Sequence, residues 1–304
     1  MKSSLRVRAF AKVNLGLKIV GKRPDGYHEI RTVFQTVALH DGLEISLSRR
    51  RGGVVVECDD PTIPVGRNNL VYRACQLWRR ARGFRGGIRV QLVKRIPAGS
   101  GLGGASSDAA ATLLGLERLT GDRAQPAERF RMAARLGSDV PFFLWGGRAL
   151  GMGRGEVVYP LPDLPRRHCL VVFPGFGVST AEAYGEAGRV ANRRLTKSCQ
   201  GPSMDVLGAR PPFPLEPGEP AENDFERVVF ARWPELARLK RQLIRAGAET
   251  ASLTGSGSAI FALFDSAQQL LRAAQFVPVG WQTFRTRTLP RREYQRLLFE
   301  SGEK

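Results

Sequence analysis

The stretch that most constrains this chain is residues 96–116, IPAGSGLGGASSDAAATLLGL, where clustered glycines open straight into an alanine-rich segment. Gly99, Gly101, Gly103 and Gly104 lack a Cβ, so the backbone there can take positive φ and bring peptide N–H groups close to a ligand. A helix beginning near Ala105 adds unpaired first-turn donors and the positive end of its dipole. Loop and helix together make an anion cradle, most naturally for phosphate. An ordinary turn before a helix uses the same residue types, and a bare glycine cluster does not separate the two. No Gly-Lys-Ser/Thr closes the loop, so it is not a Walker A loop, and no Rossmann unit surrounds it.

With 304 residues the chain can bury a sizeable core, as one large domain or two closely packed ones. Hydrophobic residues make up 42%, which places it among globular rather than disordered proteins. The formal charge of +19 comes mainly from arginine. It would suit nucleic acid, an acidic membrane surface or anionic metabolites, and equally a solvated surface shaped by coding bias. Cys58, Cys75, Cys169 and Cys199 form no C-x-x-C pair, so reduced thiols are expected rather than a zinc site or disulfide framework. Lys12 and Asn14 interrupt any apolar run near the N-terminus, and no segment reaches transmembrane length, so the expected location is the cytoplasm.

From residue 13 to 19 apolar positions alternate with polar ones, which predicts a strand carrying Lys12 and Asn14 on one face. A solvated strand face would look the same. Further strands are predicted over 33–39, 43–47, 54–58, 88–93, 157–161 and 169–173, with helices over 69–82 and 126–136, the latter stopped by Gly137. Pro24-Asp25-Gly26 is a turn signal, and Tyr27 and His28 after it offer a stacking ring beside a two-nitrogen ring, a pair suited to a nucleobase or to plain loop packing. Asp139, with Pro141 just beyond it, reads as a helix N-cap, a place that does not preclude a catalytic carboxylate. Ser179 and Glu182 have capping-box spacing. Residues 188–220 read as a long Arg-, Pro- and Gly-rich excursion, a helix resumes at 223–226, and residues 254–258 turn into the apolar run 259–264. Ser266 begins another helix, and the basic tail after Pro290 carries no readable signal.

Several of these stretches resemble motifs of the GHMP small-molecule kinases. Pro97, Gly101, Leu102 and Gly103 match the family's phosphate loop, residues 11–15 its first motif, 137–142 the segment with its catalytic aspartate, and 255–258 its third motif. Gly104 and Ala105 stand where the wider family usually has two serines, one of them a metal ligand in some members, so the metal-binding residue is left unknown. Residues 23–28, RPDGYH, resemble the cytidine-binding element of one branch, and Tyr184 falls where that branch places a second aromatic. The resemblance implies an α+β, two-lobed GHMP kinase fold, with a ribosomal-protein-S5-domain-2-like N-terminal lobe over 1–164 and a ferredoxin-like C-terminal lobe over 165–304. It implies ATP on Pro97, Ala98, Gly99, Ser100, Gly101, Leu102, Gly103, Gly104, Ala105, Ser106 and Ser107, with Mg²⁺ expected. Lys12 and Asp139 would be catalytic, and Asn14, Tyr27, His28 and Tyr184 would bind an anionic small molecule bearing a cytidine diphosphate. Neither a membrane nor nucleic acid is an expected partner. The competing readings are a GHMP kinase with another acceptor and a basic nucleic-acid-binding module on the S5-like fold.

Overall fold

The computed structural model of the chain describes residues 4–178, 183 and 222–300. Its frame is a long antiparallel hairpin of β1 (Ser4–Lys22) and β2 (His28–Arg51), running from Ser4 opposite Ser46 to Lys22 opposite His28. The alternation at 13–19 is therefore one part of a 19-residue strand, and the runs at 33–39 and 43–47 are halves of one 24-residue strand. The polar break His40-Asp41-Gly42 separates those halves in sequence but not in space, because the Asp41 carboxylate is buried and hydrogen-bonded.

Along its other edge β2 pairs with β4 (Gly86–Val93) and, at 32–35, with β5 (Arg148–Met152). β3 (Val54–Cys58) lies parallel to β4, with α1 (Leu70–Arg82) crossing between them, and β6 (Val157–Pro160) pairs with β5. Asn69 caps α1, its side chain accepting from the Val71 N–H at 2.7 Å, and Gly83 ends it at φ 59°. α2 (Gly104–Thr120), α3 (Pro126–Leu136) and α4 (Val140–Trp145) complete this lobe, and α2 packs on β1 and β2. Its core gathers Phe10, Ile45, Trp78, Leu113 and Phe142, each fully buried side chain contributing roughly 1.5–3 kcal/mol.

The second sheet contains β7 (His168–Phe173), β8 (Thr250–Leu253), β9 (Ile260–Phe264) and β10 (Gln282–Arg287) in the order β10-β7-β9-β8, every pair antiparallel. Counted within the lobe that order is fourth, first, third, second, the ferredoxin-like arrangement. α5 (Glu226–Arg232) and α6 (Pro234–Arg245) precede β8, and α7 (Ala267–Ala274) connects β9 to β10. Ser266 starts α7 as expected, through a reciprocal capping box with Gln269.

Between the sheets Ala11, Val13 and Leu15 of β1 and Val33 of β2 meet Val171 and Phe261 of the second lobe. β1 is thus covered on both faces, and Lys12 and Asn14 are 3% and 1% exposed rather than lying on a solvated strand face. The tail with no readable signal forms α8 (Arg291–Leu297), which returns to the first lobe: Tyr294 is buried there and its hydroxyl donates to the Phe143 carbonyl. An arginine-rich helix that buries little more than one aromatic shows no apolar period to read. Ser179, Glu182, Tyr184 and the 188–220 excursion lie outside the described residues.

Candidate active site

The glycine loop is held open by backbone geometry. Gly99, Gly101 and Gly103 have φ of 69°, 84° and 73°, in the left-handed region. A Cβ on Gly101 would overlap the Thr254 carbonyl, and one on Gly257 would overlap the Ser100 backbone, so the two glycine loops pack main chain against main chain. The Ala259 N–H donates to the Ser100 carbonyl at 3.2 Å and the Lys12 N–H to that of Leu102 at 3.0 Å. Gly103 holds the N-cap position of α2 with no capping side chain, which leaves the first-turn N–H groups open to an anion.

Two cavities flank this loop. One, of 280 Å³, is lined by residues 97–101 and 103–106 together with Asn69, Lys94 and Asp108. Leu102 is buried in the core between the sheets and Ser107 is 1% exposed, so neither side chain lines it. The other cavity, of 740 Å³, is lined by Lys12, Asn14, Tyr27, His28, Asp139 and Arg154, among others. Gly101 and Gly103 line both. A single turn of backbone therefore separates the smaller cavity from the larger chamber.

At the chamber's inner end the Lys12 ammonium lies 3.6 Å from Asp139 Oδ2, donates to Asn14 Oδ1 at 2.7 Å and sits 5.5 Å from the Phe34 ring centre. Asn14 in turn donates to Thr32 Oγ1 at 2.7 Å, and its Oδ1 accepts from Thr254 Oγ1 at 3.2 Å, which fixes the amide's orientation. Burial lowers the Lys12 pKa, and the nearby Asp139 carboxylate opposes that shift. Asp139 occupies the N-cap position of α4 but makes no side-chain cap there. Its carboxylate, 30% exposed, instead faces Lys12 and the chamber.

The turn joining β1 to β2 supplies the chamber's outer wall. Asp25 Oδ1 accepts from the Tyr27 N–H at 3.1 Å and Gly26 has φ 85°, the geometry its Pro-Asp-Gly signal implies. Tyr27 is 55% exposed, with the Arg154 guanidinium 4.7 Å from its ring centre. Burial, with a smaller effect of Lys22, holds His28 below the usual histidine range, so its ring is neutral near pH 7 and can both donate and accept. Sequence reading missed Arg154 and Thr254. Arg154 is one arginine among many, and Thr254 acts through contacts 240 residues apart in sequence from Asn14. Asn223, just before α5, has its own structural part: its amide donates to the Leu253 and Gly255 carbonyls at 2.8 and 2.9 Å and anchors the second glycine loop.

Family models for the GHMP kinases N terminal domain and the GHMP kinases C terminal match residues 69–147 and 215–279. Two lobes with a glycine loop between two cavities, one of them holding a lysine–aspartate pair, define a GHMP small-molecule kinase. The chain is 44% identical to the 4-diphosphocytidyl-2-C-methyl-D-erythritol kinase of Solibacter usitatus, over 96% of this chain and 90% of that protein. It is 36% identical to the enzyme of the same name from Lachnoclostridium phytofermentans, over 93% and 97%. The crystal structure of a 4-(cytidine 5'-diphospho)-2C-methyl-D-erythritol kinase superimposes with a TM-score of 0.72 at 34% identity, covering 93% of this chain and 99% of that one. A homoserine kinase from Cytophaga hutchinsonii shares the fold, at a TM-score of 0.71 and 20% identity over 97% of both chains. The chain belongs to the 4-diphosphocytidyl-2-C-methyl-D-erythritol kinase family.

Proposed function

We propose that this chain transfers the γ-phosphoryl group of ATP to the 2-hydroxyl of 4-diphosphocytidyl-2-C-methyl-D-erythritol, a step of non-mevalonate isoprenoid precursor biosynthesis, in the cytoplasm. The observation that carries this reading is the pair of cavities sharing Gly101 and Gly103, with Lys12 and Asp139 on the larger side. ATP lays its phosphates on residues 97–107, against the open N–H groups of α2. The acceptor lies in the chamber, its cytosine against Tyr27 and His28 and its polyol toward Asn14.

Phosphoryl transfer needs alignment and charge stabilisation more than covalent participation by the protein. The Asp139 carboxylate takes the proton of the acceptor hydroxyl as that oxygen attacks the γ-phosphorus and ADP departs. The Lys12 ammonium, between Asp139 and the loop, stabilises the developing alkoxide and the transferring group. Mg²⁺, expected with the nucleotide, would supply charge neutralisation at the phosphates held beside residues 97–107. The nearby carboxylates Asp139 and Asp108 each face a lysine ammonium, so the phosphate oxygens remain the favoured ligands. The lobes divide between residues 164 and 165, in the connection from β6 to β7.

The test is ATP consumption by the purified protein with Mg²⁺, offering the cytidylyl substrate against homoserine, galactose and mevalonate. Turnover is expected with the cytidylyl substrate alone. Turnover of a different acceptor would keep the kinase and discard the cytidine assignment.

A further inference from the structure

Lys94, Asp41 and Asp108 form a charged cluster next to the phosphate loop that the reaction itself does not use. The Lys94 side chain is 8% exposed, and its ammonium contacts Asp41 Oδ2 as well as Asp108 Oδ2, the latter at 2.8 Å. Asp41 Oδ1 accepts from the N–H groups of Arg95 and Ile96, at 2.5 and 2.8 Å, where β4 runs into the loop. Asp108 sits in α2, where the chain leaves the loop. A Cβ on Gly104, the first residue of α2, would meet the Ile96 side chain at 3.0 Å and the Lys94 nitrogen at 3.3 Å, so the helix start lies close against both side chains.

We propose that Lys94 is a positioning residue for nucleotide binding: by bridging Asp41 and Asp108 it ties the strand entering the phosphate loop to the helix leaving it, and so sets the shape of the cradle. This rests on ATP occupying residues 97–107.

A buried ion pair is often no more stabilising than well-packed apolar residues, so stability alone does not account for three such groups here. Two carboxylates share one ammonium, and the Asp108 Oδ1 atom is buried without a hydrogen-bond partner among the described residues. Burial, helped by Asp41 and opposed by Lys94, pushes the Asp108 carboxyl up to about 8. Burial works against the Lys94 ammonium, but the two carboxylates outweigh it and hold its pKa above the ordinary lysine value. What this cluster secures is geometry, because its members converge on the two ends of one loop. Lys94 and Asp108 also line the nucleotide cavity and not the acceptor chamber.

The experiment is steady-state kinetics with each substrate varied in turn, plus thermal unfolding, for the wild type, Lys94→Met, Asp108→Ala and Asp108→Asn. Lys94→Met and Asp108→Ala are expected to raise the KM for ATP by about 10-fold to 100-fold, with kcat within about threefold and the acceptor KM unchanged. Asp108→Asn keeps an oxygen for the Lys94 ammonium and stays near wild type. The idea is overturned by an unchanged ATP KM in folded Lys94→Met, by ATP and acceptor KM rising together, or by Asp108→Asn behaving like Asp108→Ala. If Lys94→Met does not fold, Asp108→Ala decides; if neither folds, the cluster is structural only and the proposal fails. Binding of a fluorescent ATP analogue to the wild type is the separate control. No binding there removes the ATP assignment, whereas normal binding to all variants removes only the role of Lys94.

Discussion

Burial and pairing pull Lys12 in opposite directions, and the balance makes the site testable one residue at a time. Asp139→Asn keeps shape and hydrogen bonding but cannot take a proton. It is expected to lower kcat by roughly 10²–10⁴-fold with both KM values little changed, and near-normal turnover would remove Asp139 from the chemistry. On the proposed mechanism Lys12 would act through its charge, and its pKa is lowered by burial despite Asp139. Raising the pH therefore strips its proton earlier than from an ordinary lysine, and kcat is expected to fall on the alkaline side below the usual lysine range. Lys12→Arg, which stays protonated, should flatten that limb in whatever activity remains, as a pH–rate profile would show. Tyr27→Ala and His28→Ala should each raise the KM for the cytidylyl substrate and leave that for ATP alone; an unmoved acceptor KM would refute their contact with the base. Lys12, Asn14 and Asp139 were legible because short motifs carry them. Thr254, Arg154 and Lys94 were not, since their contacts with Asn14, Tyr27 and Asp41 join distant parts of the chain and no local pattern marks them.

At the scale of elements, the glycine loop proposed to hold the phosphates is also a packing surface. Gly101 combines a φ of 84° with main-chain contact to Thr254, so any side chain there meets both backbone strain and a fixed carbonyl. Gly101→Ala is expected to destabilise the fold by more than about 1 kcal/mol and to weaken ATP binding, measured by chemical denaturation and by KM. Unaltered stability would mean that the two glycine loops separate easily. β3, β4, α1 and α3 were readable near their true bounds because each is amphipathic or capped. β1 was readable only in part: its middle is buried on both faces, so its alternation reports lobe contact as well as pleat. β5, β8 and β10 are four to six residues long and offer too few positions for a period to show.

For the whole molecule, chain order and spatial order disagree at the end. α8 follows the last strand of the second sheet yet places Tyr294 in the core of the first lobe, where the Arg8 N–H also donates to the Leu298 carbonyl at 2.8 Å. Truncation after residue 290 is therefore expected to destabilise the first lobe, read as a lower unfolding temperature together with loss of ATP binding. A truncated protein as stable as the full chain would contradict that packing. The two-lobed plan was legible from motifs spread in order along the chain, whereas the return of the terminus was not, because arginine dominates the tail. The +19 charge says how basic the chain is and not where that charge lies, which is why composition did not identify a partner.

The glycine loop that lines both cavities is a partition with two mouths. On the proposed assignment neither substrate buries the other, so ADP and the phosphorylated product are expected to leave by separate routes in either order, which product-inhibition patterns would check. Transfer across the partition is expected to be a single displacement, so that with a chiral γ-phosphate the configuration at phosphorus would emerge inverted; retention would contradict the proposed arrangement.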